Sequence, residues 1–185
     1  TEPRLAKVLA SDPGNDLALL KIDATDLKPA TFAQPGTIRI GDGVIAIGYA
    51  LDLDGGPTVT SGIVSALKRT IITESGALNG LIQTDAAING GNSGGALIDI
   101  SSGLVVGINS FGATDAEGLN FALPSYTACK VLELYKNNNS DLDKIHSELK
   151  LLYGDKMQNN HNLFMEYLYK PYNCEKLIKF ILNNE

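Results

Sequence analysis

The sequence has few of the residues that hold together disulfide-rich or metal-dependent domains. Its two cysteines, Cys129 and Cys174, cannot form a disulfide framework and do not have the spacing of a zinc site. No apolar run approaches the roughly 20 residues that span a membrane. The net charge of −6 argues against general nucleic-acid binding, which requires a basic surface. We therefore expect a globular chain that folds by burying apolar side chains, with no nucleic-acid partner and no membrane span.

Helical periodicity is also missing from most of the chain. No helical pattern precedes Pro124, which excludes α/β sandwich folds. Short β-branched runs between glycine-rich turns occur instead, and these are typical of a β-sandwich or barrel. The first turn is Asp-Pro-Gly-Asn at 12–15. Strands are predicted at 5–10, 17–22, 44–49, 59–66, 80–84, 96–100, 104–110 and 120–123.

The composition changes near Asn137. Of 19 glycines, 18 lie at or before Gly118, whereas nine asparagines lie from Asn137 onward. A capped helix is predicted at 126–136, and further helical segments at 142–153 and around 162–169 and 174–182. We therefore expect a β domain over residues 1–136, followed by a small Asn-rich helical appendage of unknown function over residues 137–185.

One glycine-rich segment has the composition of a catalytic loop. Residues 84–97 read Thr-Asp-Ala-Ala-Ile-Asn-Gly-Gly-Asn-Ser-Gly-Gly-Ala-Leu, so Ser93 has glycines close on both sides. Glycines permit the conformations that direct successive N–H groups at one point, as an oxyanion hole requires. A glycine-rich turn with an incidental serine is the alternative. The nucleophile elbow of α/β-hydrolases is excluded, because a β-branched run and not a helix follows at 96–100.

Several segments together resemble the HtrA/DegP family of trypsin-like serine endopeptidases. Residues 84–97 resemble the active-site segment of that family, and Asn-Asp-Leu-Ala-Leu-Leu-Lys-Ile at 15–22 resembles its catalytic-aspartate segment. Further matching segments, in the same order, lie at 40–49, 59–65 and 118–125. The resemblance covers about residues 5–136. It implies a mainly β, chymotrypsin-like fold with a partial first barrel and a complete second barrel.

The resemblance also implies roles for individual residues. Ser93 matches the nucleophile, and Asp16 matches the acid that orients the catalytic histidine. The oxyanion hole falls on Gly91, Asn92 and Ser93, with N–H donors from Gly91 and Ser93. A strand that pairs with extended substrate falls on Ser110, Phe111 and Gly112. The primary pocket falls on Ala87 and Ile88, with Phe121 as a possible wall, and implies a preference for small or medium apolar side chains.

Other acidic residues are expected to be structural or solvated. Asp12, Asp23 and Asp26 compete with Asp16 for the catalytic role but lie in predicted turns, and Asp85 and Asp99 are interpreted as structural or surface residues. The segment 52–56, Asp-Leu-Asp-Gly-Gly, lacks the later ligands of a calcium loop and is interpreted as a hairpin tip.

The catalytic histidine is the part of the pattern that the sequence lacks. No histidine precedes Asp16, and His146 and His161 are expected to be surface residues of the appendage. We therefore expect little or no peptidase activity from this chain alone, and a second chain or a missing N-terminal segment that supplies the histidine-bearing strands. A non-catalytic polypeptide-binding or assembly module is the alternative, and a fragment that does not fold alone is a third. The resemblance implies an extracytoplasmic location and no metal or other cofactor, and it leaves the oligomeric state open. A PDZ domain is usual in the family, and we do not expect one in residues 137–185, which lack its pattern.

Overall fold

Two strands form a small sheet at the start of the chain. The computed structural model describes residues 5–24, 27–49, 56–73, 76–113 and 116–137. Strand β1 (Ala6–Asp12) pairs antiparallel with β2 (Leu17–Ile22). The predicted turn between them is a single 3₁₀ turn, Pro13–Asn15, and the Asn15 Nδ2 donates to Asp12 Oδ2 at 2.7 Å. The turn and both strands were therefore predicted correctly to within two residues.

Six further strands close a barrel. Their order around the barrel is β3-β4-β5-β8-β7-β6, and pairing of β6 with β3 completes the ring. This agrees with the prediction of two strands from a first barrel followed by a complete second barrel. The strands are β3 (Gly43–Gly48), β4 (Thr58–Thr73), β5 (Gly76–Thr84), β6 (Ala96–Asp99), β7 (Val105–Gly112) and β8 (Asn120–Pro124).

The barrel interior follows from the alternation of side chains along each strand. On β3 the side chains of Val44 and Ala46 are fully buried, while Gly43 and Ile45 lie on the outer side. The main core cluster includes Val44, Ala46, Val64, Ile82, Leu97, Val106 and Ala122. A second cluster contains Leu78, Leu81, Phe121 and Leu123 and also contacts Leu17 of β2, so it joins the small sheet to the barrel.

Strand β4 is longer than the sequence indicates. The predicted strand ended at residue 66, before the polar residues Lys68, Arg69 and Thr70, which are exposed in the structure. In the structure β4 continues to Thr73 through cross-strand hydrogen bonds to β5, from Arg69 Nε to Gln83 Oε1 at 2.9 Å and from Thr70 Oγ1 to Asn79 Oδ1 at 2.9 Å. Pairing with β5 therefore extends β4 beyond the point where apolar and polar residues alternate in its sequence.

One helix, α1 (Ser125–Asn137), follows the barrel and agrees with the prediction at 126–136. Ser125 Oγ donates to the Ala33 carbonyl oxygen at 3.3 Å, and Val131 and Leu134 pack against Leu17. This helix and the second core cluster thus hold β2 from two sides. In the part of the chain that the structure describes, no helix has the length and apolar character needed to cross a bilayer. The helices predicted beyond residue 137 lie outside the described residues.

Candidate active site

The loop that carries Ser93 is attached to strand β7 by main-chain hydrogen bonds. The Gly94 N–H donates to the Asn109 carbonyl oxygen at 2.7 Å, and the Asn109 N–H donates to the Gly95 carbonyl oxygen at 2.8 Å. Just before the serine, a reverse turn is closed by the Asn92 N–H donating to the Asn89 carbonyl oxygen at 3.2 Å. Gly91 has φ +96° in this turn, which glycine adopts without strain.

The N–H groups of Gly91 and Ser93 are among those of this loop that form no hydrogen bond with the described residues. Within residues 76–113 and the other described segments, neither the Gly91 N–H nor the Ser93 N–H donates a hydrogen bond to the protein, although those of Asn92, Gly94 and Gly95 do. Ser93 is exposed, and the two N–H groups belong to Ser93 itself and to the residue two positions before it. Such donors are what stabilisation of a developing oxyanion requires.

Close packing explains two glycines around this loop. A Cβ on Gly95 would lie 2.0 Å from the Ile47 carbonyl oxygen, and a Cβ on Gly48 would lie 2.4 Å from Asn92 Cβ. Both contacts are shorter than any side chain tolerates, so the loop can approach β3 only because these positions are glycine. The glycines therefore fix the position of the loop as well as its conformation.

A buried asparagine on β7 joins the loop to two strands, and sequence reasoning did not identify it. The Asn109 Nδ2 lies 3.3–3.4 Å from the carbonyl oxygens of Ile47, Asn92 and Ala96. Its side chain is 1% exposed, as is that of Asn92, whose Nδ2 lies 3.4 Å from the Ala87 carbonyl oxygen. The sequence signal for this role was an asparagine in the middle of an apolar strand. A buried carboxamide is expected to form hydrogen bonds with backbone groups.

Ser110 connects Ser93 to Asp16. Ser93 Oγ donates to the Ser110 carbonyl oxygen at 2.6 Å, and Ser110 Oγ donates to Asp16 Oδ2 at 2.6 Å. Asp16 ends the 3₁₀ turn with φ 53°, a left-handed conformation that aspartate tolerates better than most residues. Two residues 77 positions apart in the chain are thus joined through one buried serine.

The other candidate acids have structural partners. Asp12 accepts from Asn15, and Asp85 Oδ1 accepts from the Ile63 N–H at 2.7 Å. Asp99 is buried and accepts from Ser102 Oγ, the Ser102 N–H and Ser101 Oγ. The hydrogen bond from the Ser102 side chain, together with those from Ser101 and the backbone, holds the pKa of Asp99 below its ordinary value, although burial acts in the opposite direction. Asp26 lies outside the described residues.

A cleft of about 840 Å³ opens beside Ser93. It brings together five predicted substrate-binding residues, and it also contains Asn120, which sequence reasoning missed. The Asn120 Oδ1 accepts from the Ile88 N–H at 3.2 Å and so forms part of the wall. The lining residues are Asp85, Ala87, Ile88, Asn89, Gly90, Ser93, Ser110, Phe111, Gly112, Ala113, Ala116, Glu117, Gly118 and Asn120.

Phe121 does not line this cleft, contrary to the prediction. Adjacent side chains on a strand point to opposite faces, so when Asn120 faces the cleft Phe121 faces the core. The Phe121 side chain is 4% exposed, and its ring centroid lies 5.3 Å from that of Phe111. Phe121 therefore supports the cleft from behind, through Phe111.

The described residues contain no imidazole and no metal centre. Both histidines, His146 and His161, lie outside them, as do residues 52–55 of the calcium-like segment. Among the residues that the structure describes, no group of three His, Cys, Asp or Glu side chains could hold a metal ion. What they do bring together is a serine hydroxyl, a carboxylate joined to it through Ser110, and free N–H donors.

The sequence is similar to known proteases over most of the described region. A family model described as a trypsin-like peptidase domain matches residues 2–108. A serine protease Do-like HtrA of Lactobacillus helveticus is 48% identical over 127 residues, which cover 65% of this chain and 30% of that protein. A probable periplasmic serine endoprotease, DegP-like, of Rickettsia prowazekii (strain Madrid E) is 43% identical over 139 residues, covering 72% of this chain and 27% of that protein.

The chain is also similar to solved structures of proteases. The HtrA-type protease AlgW with a decapeptide superposes with a TM-score of 0.65 at 40% sequence identity, over 72% of this chain and 41% of that one. The chain spans about a third or less of the length of the curated relatives above.

Proposed function

Because the chain belongs to the family of trypsin-like peptidase domains, as an HtrA-type member with the chymotrypsin fold, we propose that Ser93 is the nucleophile of a serine endopeptidase. Its substrates would be unfolded or extended polypeptides. The observation that carries the proposal is the pair of 2.6 Å hydrogen bonds through Ser110, which join Ser93 to Asp16 beside an open cleft.

The chemistry would proceed through an acyl-enzyme. Ser93 Oγ attacks the carbonyl carbon of the peptide bond while a general base takes its proton, the leaving amine receives that proton, and water later hydrolyses the ester. The Gly91 and Ser93 N–H groups would stabilise the negative oxygen of each tetrahedral intermediate. Asp16 would orient and stabilise the imidazolium form of a histidine base. The exposure of Ser93 and the two unused donors support these roles.

The substrate main chain would pair with strand β7 at residues 110–112. Main-chain pairing gives affinity, and pockets for alternate side chains give selectivity. Ala87 and Ile88 line the cleft and offer no charge, which favours a small or medium apolar side chain before the cleaved bond. Profiling with a peptide library tests this preference, and dominant cleavage after Lys or Arg would contradict it.

The general base would be a histidine supplied from outside the 185 residues, because His146 and His161 are expected to be surface residues of the appendage. Without that base Ser93 has no imidazole to activate it, and its hydroxyl is instead held by the Ser110 carbonyl oxygen. Loss of one triad member in this class leaves a residual acceleration of about 10³–10⁴ over water. We therefore propose that the 185-residue chain has little peptidase activity by itself.

A non-catalytic polypeptide-binding module is the second candidate. The observation that favours it is the combination of an intact cleft with no imidazole among the described residues. Under this alternative the chain would bind extended peptides in the cleft and release them unchanged.

Covalent labelling with a fluorophosphonate separates the two candidates. We expect slow labelling of the 185-residue chain, faster labelling when imidazole is added as an external base, and none in Ser93→Ala. Asp16→Asn tests whether the carboxylate assists the added imidazole, so its response to imidazole should be weaker. Rapid labelling without imidazole would contradict the proposed lack of a base. No labelling at any imidazole concentration, with retained peptide binding, would favour the binding module.

The printed names of relatives support a proposal about the compartment. The DegP-like protein of Rickettsia prowazekii is named as probably periplasmic. We propose an extracytoplasmic location for this protein, which fractionation of the source cells with an antibody to residues 5–137 would test.

A further inference from the structure

The sequence contains two Asn-Gly dipeptides, and their surroundings differ. They are Asn79-Gly80 and Asn89-Gly90. In such a dipeptide the glycine nitrogen can attack the carboxamide carbon of the preceding asparagine, since glycine has no Cβ to hinder the approach. Whether this happens in a folded protein depends on how firmly the two groups are held.

Asn89 and Gly90 are held loosely. Both are exposed, and they lie in the turn just before Ser93. Within the described residues, the Asn89 carboxamide and the Gly90 N–H form no hydrogen bond with the protein. A Cβ on Gly90 would have nothing within 4 Å, so no neighbouring atom packs against that side of Gly90, and the turn is held here by the hydrogen bond to the Asn89 carbonyl oxygen.

Asn79 and Gly80 are held firmly. They lie within β5, and Gly80 is buried. The Asn79 Oδ1 accepts from Thr70 Oγ1 at 2.9 Å, and its Nδ2 donates to the Ala77 carbonyl oxygen at 3.2 Å. Reaction at Asn79 therefore requires the hairpin of β4 and β5 to open locally.

We propose that Asn89 is a site of spontaneous deamidation, placed in the loop that carries Ser93. The Gly90 nitrogen loses its proton and attacks Cγ of Asn89; the N–Cγ bond forms, the Cγ–Nδ2 bond breaks and ammonia leaves. Water then opens the five-membered imide at one of its two carbonyls, giving aspartate or isoaspartate. The net reaction consumes one water, releases one ammonia and needs no other reactant.

The product changes the site that Ser93 occupies. Either product adds a carboxylate to the wall of the cleft, and isoaspartate also lengthens the main chain by one methylene inside the turn closed by the Asn92 N–H. A negative charge beside the Gly91 and Ser93 donors opposes the formation of a second negative charge there. This consequence, unlike the modification itself, rests on the proposed function of Ser93.

Peptide mapping by tandem mass spectrometry tests the modification. The purified chain is held at mildly alkaline pH, and the loss of each asparagine is followed with time, with isoaspartate detected by enzymatic methylation. Since two side-chain hydrogen bonds must break at Asn79, we expect Asn89 to react about tenfold faster in the folded protein. In denaturant the two rates should become similar, because the sequence context is the same dipeptide.

The Gly90→Ala variant is the matched control. Its added methyl group lies in open space, so folding should be unaffected while attack by the nitrogen is hindered. Equal rates at Asn79 and Asn89 in the folded chain would overturn the proposal, as would an unchanged rate in Gly90→Ala. Because the mass readout does not depend on Ser93, failure of this proposal and failure of the proposed peptidase function are distinguishable.

Discussion

The barrel and the two-stranded sheet of β1 and β2 are joined through Ser110, and they bury their apolar side chains to very different extents. In the barrel, Val44, Val64 and Leu97 are fully buried and the strands close on themselves. In the two-stranded sheet, Val8 and Leu20 lie opposite each other and are 57% and 54% exposed. The barrel thus has a core of its own, whereas the sheet is positioned by contacts that β2 makes with the barrel and α1. Ser93 is carried by the first region and Asp16 by the second.

The largest loss of stability should come from truncating a buried side chain in the barrel core. Leu97→Ala removes a fully buried side chain and should lower the free energy of unfolding by about 2–5 kcal/mol. Leu20→Ala removes a half-exposed side chain from the sheet and should change it by less than about 1 kcal/mol. Urea unfolding followed by circular dichroism measures both. Equal losses would mean that the two regions share one core, against the difference described above.

A smaller loss of stability is expected from a substitution where the loop that carries Ser93 contacts β3. In Gly95→Ala the new Cβ would lie 2.0 Å from a backbone oxygen, so the loop must move, at about 1–3 kcal/mol. Gly90→Ala, in the same loop but in open space, is the control. Thermal unfolding should distinguish the two variants, and hydrogen exchange should show the effect in the barrel and not in β1. Equal melting temperatures would refute this account of the loop.

Removing the Ser110 hydroxyl, which joins the barrel to the two-stranded sheet, should destabilise the sheet more than the barrel. Ser110→Ala deletes the donor to Asp16, which should cost about 1 kcal/mol and raise amide exchange in β2 several-fold. Ser61→Ala, on the exposed face of β4, is the matched control. Exchange that rises equally in both regions, or in neither, would mean that Ser110 does not position the sheet.

The smallest effect is a dependence of stability on pH that arises from Asp99 in the barrel. Because hydrogen bonds from Ser102 and Ser101 lower the pKa of Asp99 in the folded state, the carboxylate stabilises the fold above the ordinary aspartate pKa. That contribution is lost as the pH falls through the lowered value. Asp99→Asn should therefore be less stable than the parent chain at neutral pH, and the difference should shrink in acid. Unfolding midpoints between neutral pH and strong acid measure this, and a constant difference would contradict it.

Most of the architecture could be predicted because it follows local rules. The bounds of β2 were predicted to the residue, since apolar runs and glycine turns mark strands directly. The two-plus-six arrangement of strands was predicted from the family resemblance and is confirmed. The far half of β4 could not be predicted, because its polar residues form strand only through pairing with β5. Pairing between strands is a property of the fold, and a single segment does not encode it.

Some residues of the candidate site were proposed because their type suggests a chemistry, and others were missed because only geometry places them there. Ser93 and the glycines around it were proposed from the loop composition and Asp16 from a family pattern, and their catalytic roles stay predictions. Asn109 and Asn120 were missed, because an asparagine on a strand gives no sign of which backbone groups its carboxamide will meet. Phe121 was misplaced because its side of β8 depends on strand register, which the sequence of the strand alone does not specify.

The open β1–β2 pair also has a consequence for behaviour in solution. Within the described residues each of these strands is paired on one side only. The exposed side chains of Val8 and Leu20 lie on the same face of this two-stranded sheet. An unpaired strand edge with apolar side chains is a template for β-sheet growth between molecules. The barrel, being closed, offers no such edge. Concentrated solutions of this chain should therefore self-associate through its first strands, and charged substitutions at Val8 and Leu20 should raise its solubility.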